Sequence, residues 1–152
     1  MRIAPDQPPG GTVRDWLAFR AKDTGPAIVF PESGDQISWA ELNAKAGAFA
    51  RALTARGAGR GESVAIMAPN SRAGVVALYG ALVGGFRATM INLAAGRDAI
   101  RYALDHSGAR FAFVHPDCDA AFAQAGADSI VTVEPDEDAD APLHEVIAGD
   151  HA

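Results

Sequence analysis

The spacing of apolar residues predicts most of the elements of this chain. Leu42, Ala46 and Phe49 recur at the interval of one helical face. We predict a helix there, ended by Gly57 and Gly59, because glycine readily closes a helix. The same pattern predicts five further helices: Thr12 (as the cap) to about Lys22, Ser71–Val83, Arg97–His106, Asp119–Ala125 and Leu143–Ala148.

Short apolar runs without polar alternation predict strands that are buried on both faces. They are Ser63–Ala68, Ala88–Asn92, Arg110–His115 and Ser129–Glu134. From residue 40 onward helices and strands alternate, which is typical of a parallel sheet. Earlier, Ala27–Pro31 and Gln36–Trp39 flank a turn sequence and predict a hairpin. The predicted fold is therefore α/β, a mostly parallel sheet covered by helices on both faces, with a short N-terminal β-hairpin.

Composition and charge narrow the class of protein. Residues 1–11 are rich in proline and glycine and are predicted to be a flexible arm, and residues 12–152 are predicted to be one α/β domain. The net charge is −6 and basic residues are not clustered, so we expect no nucleic-acid partner. A lone Cys118, no secretory signal and no apolar run long enough to span a bilayer predict a cytoplasmic protein.

Two glycine-containing stretches resemble functional motifs but are better explained by structure. Residues 57–61 lack GxGxxG spacing, and they follow a helix and precede a strand, which is the reverse of a phosphate site. A helix cap and turn is the favoured interpretation. Gly80 and Gly84 have GxxxG spacing, for which we predict a helix packed closely on a sheet rather than a membrane dimer.

Two clusters of polar residues are likewise interpreted as solvated. Neighbouring residues on a helix point apart, so Asp105-His106-Ser107 cannot form a relay and should lie at a solvated helix end. Asp136, Asp138 and Asp140 alternate as at the start of a calcium loop, but the required glycine and glutamate are missing. We predict a solvated acidic loop there.

The ends of the predicted parallel strands are where α/β proteins place ligands. The polar and reactive residues that follow these strands are Asn70 and Ser71, then Asn92, then His115, Asp117 and Cys118. Each also has a structural interpretation, since Asn70 or Ser71 can cap the next helix and Pro116-Asp117 can turn the chain. Cys118 has no basic neighbour that would activate it as a nucleophile.

An ordered set of motifs between Ile37 and Asp117 resembles the N-terminal region of the adenylate-forming superfamily, which includes acyl-CoA synthetases, peptide-synthetase adenylation domains and luciferases. The matching pieces are Ile37–Leu42 (first core motif), Ala50–Gly57 (the following helix), Arg60–Ile66 ("G-D-x-V-A-I"), Pro69-Asn70-Ser71 ("P-N-S"), Leu82–Asn92 (second core motif) and Leu104–Arg110 ("L-x-H-S-x-A-R"). The second core motif departs from the family at Val83-Gly84-Gly85, Met90 and Leu93. It keeps Asn92, which favours acyl- or aryl-CoA synthetases.

The resemblance implies a partial N-terminal domain of an AMP-forming enzyme. Such an enzyme joins a carboxylic acid to AMP from ATP and then passes the acyl group to a thiol of CoA or a carrier protein. ATP, Mg²⁺ and CoA are implied for the parent enzyme, in fatty-acid or aryl-acid metabolism. The family's phosphate loop, ribose-binding aspartate and C-terminal lysine are not in this chain. No catalytic, cofactor-binding or metal-ligating residue is therefore assigned, and we expect the chain alone to be inactive.

Three alternatives stay open at the level of sequence. The chain could be a truncated or split synthetase, whose partner is the rest of the enzyme or a complementary chain. In that case an exposed apolar face should promote self-association. It could instead be a free-standing, non-catalytic interaction or regulatory module, or a piece of a peptide-synthetase adenylation domain. An unrelated nucleotide-binding domain is disfavoured because GxGxxG and P-loop motifs are missing.

Overall fold

A computed structural model describes residues 11–136 and 139–146 of the chain. Helices in this part of the chain are α1 Val13–Arg20, α2 Trp39–Ala55, α3 Arg72–Gly84, α4 Arg97–Ser107 and α5 Asp119–Ala125. Strands are β1 Pro26–Phe30, β2 Asp35–Ser38, β3 Ser63–Met67, β4 Arg87–Met90, β5 Phe111–Val114 and β6 Val131–Thr132. These elements confirm the predicted α/β class, and the predicted arm at residues 1–11 lies, apart from Gly11, outside the described residues.

The main sheet has four parallel strands in the order β4-β3-β5-β6. Every residue of β3 and of β5 is buried, because these two strands lie at the centre of the sheet with helices on both faces. The edge strand β6 is shorter than the predicted Ser129–Glu134. The ladder nevertheless continues for one more bond, from the N–H of Val133 to the carbonyl of Ala112 at 2.9 Å.

Side chains of β3 alternate between two hydrophobic cores. Val64 and Ile66 pack among residues of α2 and α3, whereas Ala65 and Met67 pack among residues of α4 and α5. This alternation is the ordinary consequence of the two-residue period of a strand. Both faces of the sheet are therefore covered, as the sequence predicted.

Helices α2 and α3 approach each other closely at Gly80. A methyl group on Gly80 would lie 2.6 Å from Cδ1 of Phe49 and 3.0 Å from the carbonyl oxygen of Ala46, both on α2. The GxxxG spacing thus reflects close packing, as predicted. At Gly80, however, the close contact is with a helix rather than with the sheet.

The N-terminal part packs outside the α2–α3 layer. Strands β1 and β2 pair antiparallel and confirm the predicted hairpin, with Ile37 fully buried. Helix α1 begins at a reciprocal cap, in which Thr12 Oγ1 accepts the backbone N–H of Asp15 and the Asp15 carboxylate accepts the backbone N–H of Thr12. Leu17 of α1 joins Ile37 in a third core that also includes residues of α2 and α3.

The predicted helix Leu143–Ala148 is wrong in its described part, because residues 143–146 are not helical. Three side chains of this segment contact separate surfaces. Leu143 packs on the third core, His144 stacks edge-on against Phe86 at 5.7 Å, and Val146 lies over Gly85. Residues 143–146 thus pack across neighbouring elements without forming a helix, and we call this segment the strap. Residues 147 and 148 lie outside the described residues.

Candidate functional site

Polar residues at the carboxyl ends of β3 and β5 meet at one edge of the sheet. The two strands are parallel and in register, with Met67 opposite Val114, and the N–H of His115 donates to the carbonyl of Met67 at 2.8 Å. The residues that follow these strands, Asn70 and Asp117 among them, therefore line a shared cavity of about 650 Å³. The structure brings these predicted candidates together.

The tip of the β1–β2 hairpin forms the opposite wall of this strand-end cavity. Its lining includes the side chains of Glu32, Ser33 and Asp35. A second cavity of about 360 Å³ adjoins the first and shares Arg72 and His115 with it. The hairpin tip thus completes the first cavity, whereas residues of α2, of α3 and of the segment after β6 complete the second. The sequence could place the strand ends, but it could not place these distant walls.

Arg72 is the functional candidate that sequence reasoning missed. Its guanidinium donates to the carbonyl of Gln36 and to the carboxylate of Glu41, and lies 3.5 Å from an Asp35 carboxylate oxygen. Arg72 therefore joins the hairpin, α2 and the start of α3, and it lines both cavities. Its position directly after the capping residue Ser71 could have marked it as lying near the strand end. Its bonding partners could not be predicted, because they are 31 to 37 residues away in sequence.

The second cavity contains an ion pair. Lys45 of α2 lies 3.6 Å from Asp136, which follows β6. Asp136 and Asp140 are nevertheless exposed, in agreement with the predicted solvated acidic loop, and Asp138 lies outside the described residues. Within residues 11–136 and 139–146, no group of three or more His, Cys, Asp or Glu side chains could hold a metal ion.

Several strand-end residues have the structural roles that the sequence allowed. Ser71 caps α3 by accepting the N–H of Gly74 at 3.1 Å. Asn92 accepts the N–H of Ala94 at 3.0 Å in the turn after β4, and it does not line either strand-end cavity. Ser71 therefore lies on the cavity wall as a capping residue, and Asn92 stabilises a turn.

His115 has a defined orientation at the centre of the site. Its Nδ1 accepts the backbone N–H of Asp117 at 3.2 Å, at the start of a short 3₁₀ turn, Pro116–Cys118. This bond assigns the neutral imidazole proton to Nε2, because Nδ1 is the acceptor. His115 lines both cavities, so its ring is a candidate hydrogen-bond donor to a ligand.

Cys118 is not an activated nucleophile. The residue is buried, and burial raises the pKa of its thiol, with the carboxylates of Asp117 and Asp119 adding to the effect. A raised pKa keeps the group as the less reactive thiol. The structure therefore agrees with the sequence-based interpretation.

The polar sequence Asp105-His106-Ser107 forms no relay. Asp105 accepts from Arg101 at 2.7 Å, and Ser107 donates to the carbonyl of Leu104 at 2.7 Å. His106 stacks on the ring of Tyr102 instead. The three side chains therefore act separately at an exposed helix end.

The glycine-rich stretch at residues 57–61 lies at the amino end of β3, opposite the strand-end cavity. The N–H of Gly59 donates to the Glu62 carboxylate at 2.8 Å, and Gly57 has a φ of +92°. Arg110 also binds Glu62, and this hydrogen bond, more than that of Gly59, lowers the pKa of the Glu62 carboxyl. The N–H of Gly59 and the guanidinium of Arg110 are thus bonded to Glu62, and we interpret residues 57–61 as a turn that stabilises the fold.

Taken together, the strand-end cavities bring Asn70, Arg72 and His115 to one edge of the sheet, where their polar groups could bind and orient a ligand. Arg72 is held by the carboxylate of Glu41, and Cys118 is kept as the thiol. Within the described residues, no helix is long and apolar enough to cross a membrane.

Comparison with known proteins places this geometry in a family. The model of the AMP-binding enzymes matches residues 17–151. The sulfoacetate–CoA ligase of Cupriavidus necator strain H16 is 33% identical over 100 residues, which are 66% of this chain and 20% of that protein. The phenyloxazoline synthase MbtB of Mycolicibacterium paratuberculosis is 36% identical over 109 residues, 70% of this chain and 9% of that protein. The chain thus spans a fifth or less of these two relatives.

A solved structure has the same fold. The inhibitor-bound N-terminal domain of FACL13 from Mycobacterium tuberculosis superposes with a TM-score of 0.76, covering 88% of this chain and 38% of that one at 24% identity. The fold agreement and the family match confirm the resemblance drawn from the motifs between Ile37 and Asp117. The chain belongs to the family of AMP-binding enzymes.

Proposed function

We propose that this chain is the N-terminal part of an ATP-dependent, AMP-forming acid–thiol ligase. The observation that carries the proposal is the family match over residues 17–151. It is supported by relatives named as CoA ligases, such as the sulfoacetate–CoA ligase and the fatty-acid–CoA ligases FadD6 and FadD13 of M. tuberculosis. In the proposed reaction a carboxylate attacks the α-phosphate of ATP and releases pyrophosphate. A thiol then takes the acyl group and releases AMP.

The strand-end cavities are the part of the chain that would face the substrates. The carboxyl ends of parallel strands are where α/β folds bind ligands, and the combined polar lining of Asn70, Arg72 and His115 suits a polar substrate. Arg72 would fix the hairpin wall, and His115 would donate a hydrogen bond. ATP, Mg²⁺ and CoA belong to the proposed whole enzyme, with further groups needed to hold them.

Location and assembly are further parts of the proposal. A cytoplasmic enzyme is compatible with the buried, unpaired Cys118. The rest of a synthetase, or a complementary chain, would cover part of the apolar surface that the described residues leave exposed, such as Met90 and Leu93. If such a partner is missing, we expect this surface to promote self-association.

The test is carboxylate-dependent exchange between ATP and pyrophosphate. This exchange reports formation of the acyl-adenylate alone, so the thiol acceptor need not be known. The polypeptide that carries this segment would be isolated from its source cells with an antibody, and its mass would be measured first. Labelled pyrophosphate should enter ATP only when an acid from a panel of alkyl, aryl and amino acids is added. Two results would contradict the proposal: incorporation of labelled pyrophosphate into ATP when no acid is added, or no incorporation with any acid of the panel.

One relative favours a second candidate within the same chemistry. The match to MbtB covers 70% of the chain, so the thiol could belong to a carrier protein instead of CoA. Adding CoA to the acid that supports exchange separates the two. Release of AMP with formation of an acyl-CoA supports the CoA ligase, whereas exchange without acyl-CoA formation supports the adenylation domain.

A further inference from the structure

A third pocket lies outside the α2–α3 layer, against helix α1. Its volume is about 390 Å³, and it shares no lining residue with the two strand-end cavities. Its walls come from α1, the start of α2 and the middle of α3. The lining residues are Val13, Trp16, Leu17, Arg20, Trp39 and Tyr79.

The pocket has the composition of a small-molecule site. Sites of this kind have volumes of about 300–1,000 Å³ and combine apolar and aromatic walls with a few polar groups. Here Leu17 is buried and forms the floor. Trp16 and Val13 are each 38% exposed, so their apolar surfaces remain open to a ligand.

Three hydrogen-bond donors at the pocket have no hydrogen-bond partner among the described residues. They are the indole N–H groups of Trp16 and Trp39 and the hydroxyl of Tyr79. An indole N–H can only donate a hydrogen bond, whereas a phenol hydroxyl can donate one and accept others. The pocket therefore suits a ligand that brings hydrogen-bond acceptors.

Arg20 supplies a positive charge in the same place. Its guanidinium carbon lies 4.6 Å from the ring centre of Trp39, which orients the planar group by a cation–π contact. Its Nη1 lies 3.0 Å from Oδ2 of Asp23, yet that oxygen has no hydrogen-bond partner, so the contact is an ion pair without hydrogen-bond geometry. Nη1 of Arg20 is thus shared with Asp23, whereas its Nε and Nη2 have no acceptor among the described residues and can donate to a ligand.

We propose that this α1 pocket binds a small amphiphilic carboxylate. The carboxylate binds the guanidinium of Arg20, and the apolar body packs against Trp16, Leu17 and Tyr79. Arginine binds carboxylates through two parallel N–H groups, which neither an alcohol nor an amine can match. A cationic head is disfavoured because it would meet Arg20. The inference does not depend on the proposed ligase activity, since the pocket is separate from the strand-end cavities.

The chain offers a direct reporter of this pocket. It contains two tryptophans, Trp16 and Trp39, and both line the pocket. Tryptophan emission of the 152-residue chain would be followed during titration with octanoate, octanol and octylammonium, all below their micelle concentrations. The three probes share one tail and differ in the head. We expect a saturable change with octanoate, a weaker affinity for octanol and the weakest for octylammonium.

Variants separate the charge from the apolar contacts. Arg20→Gln should weaken octanoate binding at least about tenfold, because the charge-assisted hydrogen bonds to the carboxylate are lost, and it should leave the affinity for octanol unchanged. Asp23→Asn should tighten octanoate binding, because a competing carboxylate is removed. Tyr79→Phe keeps the ring and should weaken binding about threefold. The control variant is Arg101→Gln, which removes an arginine of α4 that pairs with Asp105. It should leave the affinity for octanoate unchanged.

Three results would overturn the proposal. The first is equal affinity for the three probes, which would indicate a general apolar surface. The second is an emission change that depends on protein concentration without any probe, which would indicate a second copy of the chain on this face. The third is a change caused by neutral phosphatidylcholine vesicles but not by monomeric octanoate, which would indicate a lipid surface.

Discussion

The two ends of the parallel sheet differ in how their loops are joined. At the amino end the loops bond directly, since the N–H of Gly61 donates to the carbonyl of Gly85 at 2.7 Å and His144 binds the carbonyl of Ala58 at 2.8 Å. At the carboxyl end the loops leave cavities of about 650 and 360 Å³, both lined by His115. The glycine-rich end is therefore the closed end, and a ligand is expected at the opposite one.

The largest expected effect comes from crowding the closed end with Gly84→Ala. A methyl group there would lie 2.3 Å from the Phe86 ring and 3.1 Å from Cβ of Ala50, and both residues are buried. Overpacking of this kind destabilises by about 2 kcal/mol. Urea unfolding would measure it, with Gly96→Ala, where nothing lies within 4 Å, as the control at the open end. Equal stability of the two variants would contradict the tight packing.

The strap over the closed end is tested by His144→Ala. The change removes the bond to Ala58 and the edge-on contact with Phe86, at a cost of about 1.5 kcal/mol. The control is His106→Ala, because within the described residues this exposed histidine has no ring contact, hydrogen bond or ion pair other than its stacking on Tyr102. Urea unfolding should show a clear loss for the first variant and little for the second. A loss that is the same for both would mean that the strap does not stabilise the fold.

A smaller, pH-dependent effect is expected for Glu62→Gln at the same end. The hydrogen bond from Arg110 holds the pKa of Glu62 below its ordinary value. The charged pair therefore stabilises the fold above the unfolded pKa of about 4.3, and this contribution is lost as the pH falls through the lower folded pKa.

The free energy of unfolding, measured at several pH values, would check this sign. The variant should be less stable than the wild type at pH 7, and the difference should shrink in acid. Glu32→Gln, an exposed carboxylate at the open end, is the matched control. A difference between Glu62→Gln and wild type that stays constant down to acid pH would rule out the ionic contribution.

The smallest effect on global stability is expected at the open end, from Arg72→Met. Its ionic partners Asp35 and Glu41 are partly exposed, so their loss changes unfolding little. The hairpin should loosen locally, and amide hydrogen exchange at residues 35–38 should speed up several-fold while β3 and β5 stay protected. Arg97→Met, which removes only an exposed contact with Asp98, should leave the hairpin unchanged. Equal exchange in both variants would show that Arg72 does not hold the hairpin.

Local signals made most of the fold predictable. The bounds of α5, Asp119–Ala125, coincide with the prediction, and β3 differs from it by one residue. Continuous apolar runs and helical spacing are patterns of neighbouring residues. The elements that they indicate can therefore be predicted from short stretches of sequence. The strap at residues 143–146 was mispredicted because its conformation depends on contacts with Ala58 and Phe86, which are distant in sequence.

The site was less predictable for the same reason. Asn70 and His115 could be placed at one edge, because parallel strands bring their carboxyl ends together. The hairpin wall and the bonds of Arg72 to Gln36 and Glu41 depend on how separate elements pack. The α1 pocket likewise joins residues of three helices, which no local pattern reveals.

The central claim is that the open end of the sheet faces the ligand, and hydrogen exchange tests it most directly. Hydrogen exchange of the polypeptide that carries this segment would be measured without ligands and with ATP and the acid that supports ATP–pyrophosphate exchange. We predict slower amide exchange at residues 30, 32–35, 70–72, 115 and 117, with no change at residues 57–62 and 85–87. Slower exchange at the glycine-rich end, with none at the strand ends, would contradict the account.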